Sequence, residues 1–370
     1  MTSDNFETTA EVNDINDTNN YTIISPLDIS LHNPLIFKQS GNRKSMLIET
    51  HTFYIHLTNK DIIMLQILMS NILDGLSKTV EFNFKKIQKN NKENYDSSND
   101  DDWVKIKLSK PFDIENKSIK TKELTYIMKE DGAIFLELNY ESINLKIDFD
   151  LNGTNPIFIK PNGTSKMANG EIKHLYTSRV KNSRESFINF KNKNKTKDKE
   201  ENNSNISGIN IDENSLTTFI IATQKGFPFR LANSWNFLDS YNEKGENTLL
   251  MEYEVEDGSI DNMSKFVSFC IETDNNYKIT LLKNNILSKS RIQPINDKQN
   301  ITNNNKLQVQ FNNNDKLNLC LVKEYRILDE LPVVVRILMK KMTSIYPVLK
   351  QYIVDKNNES TIVELTTMKG

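Results

Sequence analysis

Cysteine is nearly missing: Cys270 and Cys320 are the two in 370 residues, too few for a disulfide framework or a thiolate metal cluster. Both stand inside apolar, strand-like runs, where a free thiol behaves as a small hydrophobe. Histidine is almost as rare, with His32, His51, His56 and His174 the full set. His51 and His56 are close in sequence, but five positions apart on a strand they point to opposite faces, so no metal or general-base pair is expected there. No P-loop, nucleophile elbow, HExxH or Gly-rich dinucleotide fingerprint occurs. The acidic pairs of "KEDG" (Lys129 to Gly132) and "VEDG" (Val255 to Gly258) end on Asp-Gly, which beside strands is turn chemistry. The expectation is a protein that is not an enzyme and that uses neither metal nor cofactor.

Long apolar runs are lacking too. No stretch reaches the roughly 18 to 20 uninterrupted apolar residues of a membrane helix. The opening "MTSDNFETTAEVNDINDTNN" is acidic and polar, without the apolar centre of a signal peptide. A cytoplasmic location is the expectation. Neither sign of charge dominates, since 47 Lys and Arg stand against 49 Asp and Glu, and this argues against a nucleic-acid partner. A local patch, "SRVKNSRESFINFKNKNKTKDK", mixes Arg179, Arg184 and several lysines with Phe187 and Phe190, a composition that suits anionic head groups. Glu185, Asp198, Glu200 and Glu201 dilute it towards a solvated linker.

What is present is alternation. In "DGAIFLELNYESINLKIDFDLNG" (Asp131 to Gly153), Ile134, Leu136, Leu138 and Tyr140 share one parity, the period-two signature of a strand with a buried face. The parity then slips, and Ile143, Leu145, Ile147 and Phe149 carry the apolar side, so a turn or bulge near Glu141 and Ser142 resets the phase. Similar β-like runs include "SMLIETHTFYIHL", "WVKIKL", "LTTFIIATQKGFPFRL", "NTLLMEYEVEDG", "KFVSFCIE" and "KLNLCLVKEYRIL". Trp103 and Trp235 begin or interrupt such runs, and core packing accounts for both. In "TNKDIIMLQILMSNILDGL", Thr58 or Asn59 can cap, and Ile62, Leu65, Met69, Ile72, Leu73 and Leu76 fall on one helical side, predicting a short amphipathic helix that ends near Gly75.

Composition divides the chain. Residues 1–20 are expected to be disordered, 21–165 to form a β region with a polar loop at 86–102, 166–215 to be a polar linker, and 216–340 to be an all-β module. Val333 to Val335 suit a strand, and the tail 341–370 that follows is expected to be helical, interrupted at Pro347.

The order "SPLDISL", "LIETHTFYIHL", "TNKDIIMLQILMSNIL", "KELTYIMKEDGAIFLELNYESINLKIDF" resembles the repeating β-groove of the chorein family, the bridge-like lipid transfer proteins named for vacuolar protein sorting number thirteen. The later segments, from "KGFPFRLANSWNFLDSY" to "YRILDELPVVVRI", look like one module of that family's adaptor-binding β domain. The resemblance implies a mainly β fold: a curled antiparallel sheet with a short helix, followed by a β-sandwich-like module. It implies passive transfer of phospholipids between organelle membranes at contact sites, with the chain peripheral to the membrane and adaptor proteins as further partners. The groove would be lined by Phe53, Ile55, Leu136, Leu138, Ile143, Leu145, Ile147 and Phe149, whose alternation motivates the choice. The competing expectation is a β-rich interaction scaffold that docks peptides without carrying lipid. Which holds depends on whether the apolar faces are open or covered.

Overall fold

The computed structural model describes residues 21–23, 46–72, 77–87, 103–110, 113–115, 118–159, 164–167, 170–182, 185–190, 207–226, 231–254, 266–276, 279–281, 292–294, 306–311, 315–326, 348–354 and 359–367. Within them the chain is strands and turns, and every strand pairing is antiparallel.

A first sheet contains β1 (Tyr21–Ile23), β2 (Met46–His56), β3 (Ile62–Ile72), β4 (Ser77–Ile87), β5 (Trp103–Lys107), β6 (Asp113–Glu115), β7 (Ser118–Lys120) and β8 (Leu124–Met128). It continues with β9 (Ala133–Asn139), β10 (Ile143–Asp150), β11 (Ile157–Ile159), β12 (Thr164–Met167), β13 (Gly170–Asn182), β14 (Phe187–Phe190), β15 (Ser207–Asn210) and β16 (Leu216–Lys225). Its main path runs β5-β4-β3-β2-β16-β13-β10-β9-β8-β7-β6. A second sheet is built from β17 (Ser234–Tyr241), β18 (Asn247–Glu254), β19 (Phe266–Thr273), β20 (Ile279–Leu281), β21 (Ile292–Pro294), β22 (Lys306–Phe311), β23 (Asp315–Arg326), β24 (Val348–Val354) and β25 (Ser360–Thr367), with β17 and β25 at its centre.

The first sheet curls until its two halves face each other. Phe53 on β2 stacks on Phe149 of β10 with ring centroids 4.3 Å apart, and Phe84 on β4 meets Phe190 of β14 edge-on at 5.2 Å. The β5 end of the path also reaches the opposite half: Glu123, just before β8, accepts from the Ser109 backbone N–H, just after β5, at 3.1 Å. Among the described residues no strand ladder joins β5 to β6, so the curl is not a closed barrel. The parity reset read from the sequence is a tight hairpin, in which Tyr140 and Ile143 exchange backbone hydrogen bonds around Glu141 and Ser142. Gly132 has a φ of 84°, which suits glycine in the turn that starts β9, and the Ala133 N–H is held by the Asp131 carboxylate. "VEDG" lies outside the described residues.

The predicted helix at 61–76 is strand β3. Its sequence satisfies both periods, but Ile63, Leu65, Ile67 and Met69 all bury on the curled side, and Gln66 bridges Thr52 and Asn83 on the flanking strands. β-Branched isoleucines and two long neighbouring strands decide the matter. Leu73, Gly75 and Leu76 lie outside the described residues. The described part of the tail, expected to be helical, is strand as well: β24 and β25 both fall within 341–370, and β25 is central to the second sheet. The 166–215 segment holds β13, which links the halves of the first sheet, and β16 from the 216–340 segment inserts between β2 and β13. The chain after β16 forms a nine-stranded sheet laid against the first one, where a separate sandwich was expected.

Candidate functional site

β2 is buried on both faces from His51 to His56, and its two parities meet different surroundings. Odd residues face the curled interior. All eight residues expected on a lipid groove are there: Phe53, Ile55, Leu136, Leu138, Ile143, Leu145, Ile147 and Phe149 are each at most 1% exposed and belong to one apolar cluster. They contact one another, and the face they form is covered rather than open.

One polar group interrupts that interior. Glu49 and His51 are both 0% exposed, with His51 Nε2 at 2.7 Å from Glu49 Oε1 and Nδ1 at 2.6 Å from the Tyr126 hydroxyl. Burial, with the Glu49 carboxylate second, pushes the Tyr126 hydroxyl well above its ordinary pKa, so it keeps its proton and donates to Nδ1. Nε2–H then donates to Glu49. The chain of bonds satisfies His51 on both nitrogens, as a buried imidazole requires.

Even residues of β2 face the second sheet, and here the interface is polar at both ends of an apolar patch. At one end His56 Nε2 donates to Asp239 Oδ2 at 2.9 Å, and Ser360 Oγ lies 2.8 Å from Nδ1. Asp239 Oδ1 also accepts from Thr218 Oγ1 at 3.0 Å and Asn247 Nδ2 at 2.7 Å. A Ser-His-Asp order invites comparison with a hydrolase triad. Ser360, however, is 3% exposed and does not line the cavity described next, so the network reads as a lock between sheets.

Two residues back along β2, roughly 7 Å at strand spacing, a cavity of about 140 Å³ opens between the sheets. Thr50, Thr52 and Tyr54 of β2, His174 of β13, and Ile220 and Ala222 of β16 line it from the first sheet. Trp235 and Phe237 of β17, Met251 of β18, and Glu364 and Thr366 of β25 line it from the second. Ladder registers explain the grouping: Thr52 pairs with Ile220 and Thr50 with Ala222, while Phe237 pairs with both Met251 and Glu364. Glu364 Oε1 accepts from the Tyr54 hydroxyl at 3.1 Å and from Gln351 Nε2 at 2.5 Å, and Gln351 in turn accepts from Lys85. Burial raises the Glu364 carboxyl against these hydrogen bonds, and burial also pushes Tyr54 well up. Burial alone pulls the His174 imidazole down to about 4, so it is neutral at physiological pH. Its ring lies near Tyr176, Trp235 and Tyr253, with centroids 5.8, 6.4 and 6.5 Å away.

Sequence reasoning did separate His51 from His56 by face, but it missed Tyr54, His174, Trp235 and Glu364 as one site. They come from four strands of two sheets, and no local pattern announces that meeting. Of the basic patch, Arg179 sits at a bulge of β13 with a φ of 57°, where it bonds Gly245 and Asn275, and Phe190 packs against the core. Trp103 packs edge-on against Tyr325 at 4.7 Å, with the Lys323 ammonium 5.3 Å from its ring. Cys270 is buried among apolar neighbours and Cys320 is half-buried; the two do not form a disulfide. Among the described residues no helix is long and apolar enough to cross a membrane.

Comparison with known proteins corrects the family resemblance. A curated relative, the ceramide-binding protein SVF1 of Candida albicans, is 26% identical over 216 residues, covering 56% of this chain. The chain spans about half the length of that relative, 49%. Similar solved structures include an AttH-type protein from Nitrosomonas europaea (10% identity, TM-score 0.46, 91% of this chain and 97% of that one). CghA with Sch210972 (8%, 0.48, 88% and 89%) and kievitone hydratase from Nectria haematococca (11%, 0.42, 87% and 89%) are also similar. At TM-scores below 0.5 none of these bears on what this chain does. The chorein resemblance rested on alternation, Asp-Gly turns and strand order, which any long antiparallel meander shares, and the Svf1 family matches residues 2–369 in its place. The chain belongs to the Svf1 family.

Proposed function

We propose that this protein binds a single lipid of the ceramide class between its two sheets, without catalysis. The observation that carries the reading is the inter-sheet cavity, apolar along Ile220, Ala222, Phe237 and Met251 and polar along Tyr54, His174 and Glu364. Family membership and the name of the Candida albicans relative support the lipid class. An amphipathic ligand suits a cleft with one wet and one dry side, and each CH₂ taken from water contributes about 0.8 kcal/mol. At about 140 Å³ the space is well under the ~300–1,000 Å³ of a pocket that encloses a whole drug-sized ligand, so it holds a head group or chain segment while the rest follows the interface. A continuous trough would need an open apolar face. The eight inner-face residues do not offer one, because they are covered.

Trp235 on the cavity wall supplies the test. In a Trp103→Phe variant the remaining tryptophan reports on this site alone. Titration with a ceramide carrying bromine atoms on its acyl chain should quench its emission in a saturable manner. Uptake of ceramide with no quenching would place the lipid elsewhere, and no uptake at all would end the lipid-binding reading.

A further inference from the structure

We infer that His174, Glu364 and Trp235 read the uncharged polar head of the bound lipid and select a head bearing hydroxyl and amide groups over one bearing phosphate. This rests on the lipid-binding reading above and adds the specificity of that same cavity. Three hydrogen-bonding functions are left over around one small space. His174 is 5% exposed, lines the cavity, and makes ring contacts but no hydrogen bond to a described residue. Trp235 Nε1 is buried without an acceptor among the described residues. Glu364 takes both of its hydrogen bonds on Oε1, leaving Oε2 without a described partner. Trp235 Nε1 is a fully buried polar atom left unsatisfied, which is rare, and His174 and Glu364 line the same cavity with hydrogen-bonding capacity to spare, so one ligand there can complete all three.

The three functions differ in kind. Trp235 can only donate, Glu364 accepts and, where its raised carboxyl holds a proton, also donates, and a neutral imidazole does one on each nitrogen. Hydroxyls and an amide offer donors and acceptors together, which matches this mixture. A phosphodiester offers acceptors and a negative charge, and it would sit beside Glu364. Lys85, linked to Glu364 through Gln351, is already engaged: it is 4% exposed, bonds Gln351 and lies 4.6 Å from the Tyr325 ring. His174 supplies no charge either, since burial keeps it neutral.

The test compares short-chain ceramide with short-chain sphingomyelin, which share the amide-linked chains and differ by a phosphocholine, on the full chain and on Glu364→Gln and His174→Phe. Affinities come from displacement of a fluorescent acyl-chain probe, and circular dichroism with thermal melting checks the fold. The wild type should prefer ceramide by about tenfold or more, the scale of one hydrogen bond to a charged group. Each folded variant should lose most of that preference, Glu364→Gln by binding sphingomyelin more tightly once the like charge is gone and His174→Phe by binding ceramide more weakly. Glu364→Gln keeps an acceptor for Tyr54, so it tests the idea even if His174→Phe fails to fold. Equal wild-type affinities for the two lipids, or folded variants that keep the full preference, would overturn the inference while leaving ceramide binding intact. A wild type that takes up neither lipid overturns the underlying reading instead.

Discussion

The two faces of β2 lie one residue apart and meet opposite kinds of interior. Phe53 points into the curled first sheet and stacks on Phe149 and Phe219 at 4.3 and 4.5 Å, within a buried apolar cluster. Tyr54 points the other way, to a carboxylate, a neutral imidazole and open space. The difference teaches that the most apolar face of this molecule is its structural one. Strong alternation marks where the chain closes on itself, and the place with room for a ligand is where threonines, a tyrosine and a histidine interrupt the apolar pattern.

That contrast can be broken at either face. The largest effect belongs to the inner one: Phe53→Ala removes a 0%-exposed ring stacked on two others and should cost about 3–5 kcal/mol. Urea denaturation would measure it. A cost under 1 kcal/mol would mean that the curled interior is loose enough to admit a guest.

On the outer face, pH is the sharper probe. His174 titrates at about 4 in the folded state against an ordinary 6.5, so the unfolded chain binds the proton more readily. Stability therefore falls as pH drops from about 6.5 towards 4, by as much as ~3 kcal/mol for this one group. His174→Phe should flatten that part of the stability profile. Glu364 acts in the opposite sense: its carboxyl is raised by burial, so its contribution is present at low pH and is lost as pH rises through its folded value. Glu364→Gln should therefore steepen the rise in stability with pH that His174 produces.

The smallest change expected is at the lock between the sheets. Asp239→Asn keeps the shape but mismatches the hydrogen bonds to His56, Thr218 and Asn247, for about 1–3 kcal/mol. Hydrogen exchange should show the loss of protection concentrated in β2, β16, β17 and β25. Uniform loss across both sheets would mean that the lock is not local.

Much of the fold was legible because period two is a local signal. The hairpin at Tyr140 to Ile143, the Asp-Gly turn at Asp131 and the inward parity of Leu145 and Ile147 all follow from neighbours in the chain. β3 was misread because "IIMLQILMSNI" fits a helical stripe as well as an alternating one, and only the strands on either side discriminate. The helical reading of the tail failed for the same reason, since β25 pairs with β17 across more than a hundred residues. The site was the least legible part. Tyr54 and Glu364 are 310 positions apart, and His174 meets Trp235 only because β13 and β17 lie in facing sheets. Nothing in a linear pattern encodes a cavity that exists only where two sheets fail to touch.

A photoactivatable ceramide with a diazirine in its acyl chain, irradiated on the purified protein and mapped by peptide mass spectrometry, tests the central claim most directly. Adducts are expected on the inter-sheet strands, at Thr52, Ile220, Phe237 or Met251. Adducts concentrated on Leu145, Ile147 and Phe149 would contradict the account, because they would put the lipid inside the curl that packing has closed.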